Sequence, residues 1–167
     1  MSKHPYDQLT LNNGGAFIFT PCPGTKEASI AESISQLKEA GTQAIVTLMY
    51  DEELERNHAQ SLAAECEKQS VKWFQLPISD EDAPNEDFLN AVKTQLASIL
   101  AIVEQQGVVA VHCKGGSGRT GLVIGLLMYH LGYQKEEIIT LVQYFRPKAL
   151  KHPVQLDYFN KFELLGI

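Results

Sequence analysis

The 167-residue chain is predicted to form an α/β fold, a single domain over residues 1–167 in which helices flank a central mixed sheet of four or five strands. Short apolar runs typical of buried strands occur at residues 16–20, 44–48, 71–76 and 108–111. Helical patterns separate these runs, and only helical patterns follow the last of them. At 44% hydrophobic and 20% charged residues, the composition is that of an ordinary globular domain with one core.

The helices are predicted from apolar residues at three- and four-residue spacing and from their end signals. They are expected at residues 30–40, 57–69, 85–103, 122–131, 138–145 and 154–164. Asn85 is a good N-cap, and the acidic residues Glu86 and Asp87 after it favour the positive end of the helix dipole. Residues 122–131 are apolar almost all round, which predicts a buried central helix.

Charge and hydropathy exclude several classes of protein. The formal net charge of −6 argues against nucleic acid as the main partner, so any affinity for phosphate must come from local groups. The longest apolar run, residues 122–129, is too short to cross a bilayer, and residues 1–11 contain no apolar stretch typical of a signal peptide. We therefore expect a cytoplasmic protein that does not bind membranes.

The cysteines and histidines predict free thiols and no metal. Cys22, Cys66 and Cys113 are odd in number and have no spacing typical of a disulfide scaffold, which suits a reducing compartment. The five histidines lack the paired spacing of metal ligands. No metal and no organic cofactor is therefore expected, while the oligomeric state stays open.

Residues 108–121, with the sequence VVAVHCKGGSGRTG, carry the chemistry of the chain. A buried strand enters a loop with glycines at 115, 116 and 118, and the loop opens the predicted buried helix. Glycine tolerates positive φ and leaves no side chain in the way, so the loop can curl tightly. A curled loop at a helix N-terminus directs its N–H groups inward and favours anions. The segment therefore predicts a site for a phosphate-like dianion.

Each polar side chain of this loop has an expected role. The inward N–H groups favour a thiolate at Cys113, and the planar fork of Arg119 suits two phosphate oxygens. Thr120 is placed to give its hydroxyl to the Cys113 sulfur, and His112 is expected to brace the loop rather than act as acid or base. The residues expected around the phosphate are Lys114, Gly115, Gly116, Ser117, Gly118 and Arg119.

This arrangement, His-Cys-x5-Arg-Thr from His112 to Thr120, resembles the signature of the protein tyrosine phosphatase superfamily. The wider chain, over about residues 15–165, is similar to the kinase-associated group of small dual-specificity phosphatases. That similarity rests on Pro23-Gly24, on Leu-Lys-x-x-Gly at 37–41, on Pro-Ile-x-Asp at 77–80 and on Gln-x-x-Tyr at 155–158. The resemblance implies a cysteine-phosphatase fold, a cysteinyl-phosphate intermediate and a phosphorylated protein as substrate.

Two other interpretations of the loop are possible. A lone cysteine in strand-turn-helix packing is usually a small buried hydrophobe, but five residue types at fixed offsets make that interpretation weak here. Residues 116–121 also match the dinucleotide fingerprint GxGxxG, with Glu136 about 20 residues further on. That fingerprint requires a second strand after the helix, whereas the pattern after Gly132 predicts another helix.

The resemblance places the general acid at Asp80, in an acidic loop that follows the third predicted strand. Glu81 and Asp82 are close enough to compete, and the loop is otherwise a solvated connector. Gln155 occupies the position at which relatives carry a glutamine that orients the hydrolytic water. A surface amide on an amphipathic helix is the alternative.

The remaining polar residues leave the substrate open. Arg146, Lys148, Lys151 and His152 form a basic run that either lines the rim of the pocket or is a solvated face. Lys114 also occurs in relatives that act on inositol lipids, although those carry a second base where this chain has Ser117. A phosphoprotein phosphatase with dual specificity is the preferred interpretation. A phosphate-binding pseudophosphatase and an inositol-phosphate phosphatase are the alternatives.

Overall fold

Five strands form one mixed sheet in the computed structural model, which describes residues 2–163. They are β1 (Asp7–Thr10), β2 (Ala16–Thr20), β3 (Thr42–Thr47), β4 (Lys72–Gln75) and β5 (Val108–His112), in the order β1-β2-β5-β3-β4. Strand β1 is antiparallel to β2, and all other pairs are parallel. The predicted mixed sheet is confirmed, with β5 at its centre.

Seven helices flank the sheet within residues 2–163. They are α1 (Ile30–Glu39), α2 (Asp51–Arg56), α3 (Leu62–Lys68), α4 (Glu86–Glu104), α5 (Gly118–His130), α6 (Lys135–Phe145) and α7 (Pro153–Lys161). The predicted capping of α4 is observed, because the Asn85 side chain accepts hydrogen bonds from the N–H groups of Asp87 and Phe88. None of these helices is long and apolar enough to span a membrane.

Alternating side chains of the strands divide the core into two clusters. Phe17 and Phe19 of β2 pack against α4, α5, α6 and α7, whereas Ile18 between them faces the cluster of α1 and α3. The two-residue period of a strand produces this division, since successive side chains point to opposite faces. The sheet is therefore covered on both sides, as its parallel strands require.

The sequence-based boundaries are wrong in three places. Strand β1 was not predicted, because three of its four residues are exposed and polar and it lies at the edge of the sheet. The helix predicted at residues 57–69 is shortened to α3, which begins only at Leu62, because His58 adopts φ 57° in the preceding turn; α2, which ends at Arg56, was not predicted. Helix α5 begins at Gly118, four residues before the predicted start at 122. The end predicted for the last helix, residue 164, lies outside the described residues.

Helix α5 lies unusually close to the segment that follows α6. A Cβ atom added to Gly121 would lie 2.4 Å from the Cβ atom of Ala149 and 3.2 Å from a methyl carbon of Val142. Since Ala149 is fully buried and its Cβ is fixed to the backbone, this contact cannot be relieved by a rotamer change. The glycine thus permits the close approach of α5 to the last third of the chain.

Gly121→Ala is expected to lower the free energy of unfolding by about 1–3 kcal/mol, because the steric overlap outweighs the gain of about 1 kcal/mol in helix propensity. Urea denaturation measures the change. Gly115→Ala is the control, because a Cβ there meets no atom within 4 Å. Equal or higher stability of Gly121→Ala would contradict the close packing described here.

Candidate active site

The loop between β5 and α5 lies at the carboxyl edge of the sheet and packs against the end of β2. Gly116 adopts φ +80°, and a Cβ there would lie 2.6 Å from the carbonyl carbon of Thr20. Both the left-handed backbone and the close contact exclude a side chain at this position. The glycine-rich pattern thus produces the tight curl predicted from the sequence.

The curl surrounds the sulfur of Cys113, which is almost fully buried. Its Sγ accepts a hydrogen bond from the N–H of Gly116 and another from the hydroxyl of Thr120, both at 3.3 Å. The sulfur also lies at the N-terminal end of α5, where unpaired N–H groups carry partial positive charge. These groups stabilise a negative charge on the sulfur.

His112 braces the start of the loop from within the core. One ring nitrogen, Nε2, lies 2.7 Å from the hydroxyl of Thr47, and the other, Nδ1, lies 3.0 Å from the carbonyl oxygen of Cys113. Complete burial lowers the pKa of His112 to about 4, although the hydrogen bond to Cys113 opposes the change. The ring is therefore neutral at pH 7 and bonded on both sides, which leaves it no proton to exchange with a substrate.

Arg119 is buried beneath the loop and held by a carboxylate. Its Nη1 and Nη2 atoms lie 2.7 Å and 2.8 Å from the two carboxylate oxygens of Glu53, and Nη1 also donates to the carbonyl of Ile78. Burial lowers the pKa of Arg119, but the hydrogen bonds and charge of Glu53 outweigh it and raise the pKa overall. Its Nε is buried and has no hydrogen-bond partner among residues 2–163. That donor is available to an oxyanion.

Glu53 was not predicted from the sequence as a site residue. It lies in the acidic first turn of α2, where Asp51, Glu52 and Glu53 follow one another and read as a solvated helix start. Only Glu53 of these three is buried. The only sequence signal for burial of Glu53 is that the apolar Leu54 follows it. That signal does not identify Arg119 as its partner.

The acidic loop between β4 and α4 brings Asp80 to the same place. An oxygen of Asp80 lies 3.5 Å from Nη2 of Arg119, and its side chain is 69% exposed. The carboxylate of Asp82 instead accepts a hydrogen bond from the next N–H along the chain, that of Ala83. Glu81 lies 3.9 Å from the ring of His152. Of the three candidate acids, only Asp80 is paired with Arg119.

Gln155 is buried and connects the acidic loop with the phosphate-binding loop. Its Nε2 donates to the carbonyl oxygen of Asp82 at 3.1 Å, and its Oε1 lies 3.4 Å from the position that a Cβ on Gly118 would take. Its 2% exposure excludes the alternative of a surface amide. The structure thus brings together Cys113, Arg119, Thr120, His112, Asp80 and Gln155.

Residues 24–154 match the PTP-SAK family, described as "Swiss Army Knife protein, DSP-PTPase phosphatase domain". The chain belongs to this family. The family is one of small dual-specificity phosphatase domains within the protein tyrosine phosphatase superfamily, as the signature predicted. The match includes the loop with Cys113 and Arg119, the acidic loop with Asp80, and α2 with Glu53.

Individual relatives agree with this assignment. Over 86 residues the domain is 34% identical to the tyrosine-protein phosphatase CDC14 of Saccharomyces cerevisiae, a stretch that covers 51% of this chain and 15% of the yeast protein. The structure of kinase-associated phosphatase is similar with a TM-score of 0.84 at 19% identity, covering 96% of this chain and 94% of that one. The active form of Tk-PTP follows with a TM-score of 0.65 at 29% identity, covering 87% and 89%.

The alternative of a dinucleotide-binding fold is wrong. In the described part of the chain, α5 is followed by α6 and no strand comes after it, so the GxGxxG pattern lacks the second strand of that fold. Within residues 2–163 there is also no group of three histidine, cysteine, aspartate or glutamate side chains placed to hold a metal ion.

A cleft of about 580 Å³ opens beside the loop of the phosphatase domain. It is lined by Tyr50, Glu52, Glu53, Arg56, Asn57, Ser79, Asp80, Asp87 and Lys114. Four of these residues are acidic and two are basic, so the cleft is a poor match for a ligand with several phosphates.

The other two cysteines differ in their relation to the site. The N–H of Cys22 donates to the carbonyl of Lys114, which places Cys22 beside the loop, whereas Cys66 lies on α3. Burial raises the pKa of each thiol to about 12, and the nearby Cys113 adds to the effect on Cys22. All three cysteines are free.

Replacing Glu53 by alanine is expected to lower the free energy of unfolding by about 3–5 kcal/mol, because it leaves the buried Arg119 without its carboxylate. Glu52→Ala, at an exposed neighbouring position, should change stability by no more than about 0.5 kcal/mol. Chemical denaturation of both variants tests the difference. Equal effects of the two substitutions would mean that the ion pair does not stabilise the site.

Stability is expected to fall as the pH drops from about 6.5 to about 4. His112 and His4 have pKa values lowered by burial from 6.5 to about 4, so the unfolded chain takes up these protons before the native protein does. Within that window each histidine changes the free energy of unfolding by up to about 1.4 kcal/mol per pH unit. Above about pH 6.5 its contribution to stability is fully present. Urea unfolding across the window should show a smaller slope in His112→Gln and an unchanged slope in His58→Gln, since His58 is exposed.

Proposed function

We propose that this domain removes phosphate from phosphorylated protein side chains through a cysteinyl-phosphate intermediate on Cys113. The observation that carries the proposal is the pairing of a buried, doubly hydrogen-bonded Cys113 sulfur with a buried Arg119 whose Nε has no partner within residues 2–163. A nucleophile and a free oxyanion donor thus meet in one curled loop at a helix N-terminus.

In the first step, the Cys113 thiolate attacks the phosphorus and forms an S–P bond while the P–O bond to the substrate breaks. Arg119 and the inward N–H groups of the loop hold the equatorial oxygens and follow them into the transition state. Asp80, as the carboxylic acid, gives its proton to the departing oxygen, so the product leaves as an alcohol or phenol. Lys114, Gly115, Gly116, Ser117 and Gly118 supply the backbone of this cradle.

In the second step, the oxygen of a water molecule attacks the phosphorus and the S–P bond breaks. Asp80, now a carboxylate, takes the proton of the water, and inorganic phosphate is released. The hydroxyl of Thr120, 3.3 Å from the sulfur, stabilises the returning thiolate. Gln155 places the water, since its amide lies between the phosphate-binding loop and the acidic loop. No cofactor takes part in either step.

Asp80 is proposed as the acid in preference to Asp82 and Glu81. Its carboxylate is 3.5 Å from Nη2 of Arg119, and Asp80 lines the cleft beside the loop. The carboxylate of Asp82 is occupied by a local backbone hydrogen bond, and that of Glu81 is directed to His152. A proton donor must reach the leaving oxygen, and geometry favours Asp80.

A phosphoprotein is proposed as the substrate rather than an inositol phosphate. The cleft beside the loop carries Glu52, Asp80 and Asp87, which would repel a head group with several phosphates. The two exposed bases of the cleft, Arg56 and Lys114, are fewer than these three carboxylates, and Ser117 supplies no further positive charge. The names of the relatives, tyrosine-protein phosphatase and dual specificity protein phosphatase, agree with a protein substrate.

Turnover of para-nitrophenyl phosphate in the presence of EDTA tests the proposal, with Cys113→Ser expected to abolish it. Asp80→Asn should cost about 100-fold or more on a phosphorylated serine or tyrosine peptide, whose leaving oxygen needs a proton, and much less on para-nitrophenyl phosphate. Asp82→Asn is the matched control for the acid and should keep nearly full activity. A larger loss in Asp82→Asn than in Asp80→Asn would assign the proton to Asp82.

Wild-type protein that is folded and reduced but shows no turnover would overturn the enzymatic proposal. Binding of the same phosphopeptides by that protein would then identify a phosphate-binding module. Turnover that persists in Cys113→Ser would contradict the covalent intermediate.

A further inference from the structure

Arg146 is bonded to the outer face of the phosphate-binding loop, although the sequence offered it only as a rim charge or a solvated one. It follows α6 and precedes Pro147, which restricts its backbone and ends the helix there. Its Nε donates to the carbonyl oxygen of Gly116 at 2.9 Å, and Nη2 donates to the carbonyl oxygen of Phe19 at 3.3 Å. The side chain is 16% exposed, so it is not a solvated charge.

The contact with Gly116 bears directly on the direction of the loop N–H groups. In a planar trans peptide, the C=O and the following N–H point to opposite sides. A Gly116 carbonyl held outward by Arg146 therefore keeps the N–H of Ser117 on the opposite side, toward the interior of the loop. The N–H of Gly116 itself points to the Cys113 sulfur. Arg146 thus opposes a flip of this glycine-flanked peptide, which glycine otherwise permits.

Three further contacts hold Arg146 in place. Nη1 lies 2.5 Å from a carboxylate oxygen of Asp7 on β1 and also donates to the carbonyl of Phe145. The guanidinium lies 5.5 Å from the ring centroid of Phe19, which stacks on Phe145. Asp7 is half exposed and belongs to the edge strand that the sequence did not reveal.

We propose that Arg146 is a positioning residue for the phosphate-binding loop, because it holds the Gly116 carbonyl outward. Asp7 in turn fixes the orientation of the Arg146 guanidinium. The proposal rests on the proposed function, since it concerns the loop that holds the phosphoryl group. Neither residue touches the substrate. A planar fork is required because one side chain must reach Asp7, Phe19 and Gly116 at once, which a lysine cannot do.

The test compares Arg146→Lys and Asp7→Asn with Asp157→Asn, which alters an exposed carboxylate paired with Lys161 at 3.1 Å. The first readout is the affinity for inorganic tungstate, a tetrahedral dianion like phosphate, measured by calorimetry. The second is hydrogen exchange of the amides at residues 115–118. The third is kcat/KM on para-nitrophenyl phosphate, with the thermal midpoint recorded for every variant.

Arg146→Lys is expected to weaken tungstate binding and lower kcat/KM about tenfold, with faster exchange of the loop amides, because a small displacement of oxyanion donors is costly. Asp7→Asn should cost about threefold, and should add little in the Arg146→Lys background because both substitutions break one linkage. Asp157→Asn should match the wild type in all three readouts.

A lowered thermal midpoint with unchanged tungstate affinity and unchanged loop exchange would overturn the proposal, because Arg146 would then serve stability alone. Full additivity of the two substitutions would remove Asp7 from it. If the wild type binds tungstate but hydrolyses no phosphate ester, the proposed function is wrong. The effects of the substitutions on tungstate binding and amide exchange would still test the role of Arg146. A wild type without tungstate affinity leaves the decision to the exchange rates.

Discussion

The bidentate ion pair between Arg119 and Glu53 is the contact on which the site most depends. A guanidinium buried beside a thiol loses its hydration, a cost of several kcal/mol that only a well-aligned carboxylate offsets. The pair also joins the two sides of the sheet, because α2 packs through Leu54 into one core cluster and α5 through Leu122 into the other. The cation is thereby fixed at the sheet edge with its Nε unoccupied by any of residues 2–163.

The topology explains why these groups meet. Strands β2, β5 and β3 run parallel, and in their register Thr20 and Thr47 both lie opposite His112. Cys113 directly follows β5, so the proposed nucleophile leaves the sheet at its centre, in the crevice outside the carboxyl ends of the strands. The buried His112 then ties Thr47 to the start of the loop. Sheet register and loop geometry are thus parts of one arrangement.

The sequence predicts those parts of the fold and site that depend on a local pattern. It does not predict contacts between residues that are distant in the chain. Glycines, Cys113 and Arg119 at fixed offsets predict the loop because the residues that form its curl are neighbours in the chain. The edge strand β1 lacks the apolar alternation of a covered strand, so pairing with β2 determines it. Glu53 and Arg146 resemble solvated charges in their own segments. Their contacts are 66 and 30 residues away along the chain, and only tertiary packing brings them together.

The two loops of the site are held very differently, and the chemistry accounts for the difference. Charge on the phosphoryl oxygens is stabilised best by donors that do not reorganise, and Arg119, Thr120 and Cys113 are all buried. The proposed proton donor must instead reach the leaving oxygen of a substrate. Asp80 is 69% exposed, on a loop that Gln155 holds through the carbonyl of Asp82. Nε2 of Gln155 donates the hydrogen bond to this loop, whereas its Oε1 has no hydrogen bond to any of the described residues. That oxygen can therefore accept a hydrogen bond from a water molecule. In the proposed reaction, this one buried side chain would both hold the loop of the acid and place the water.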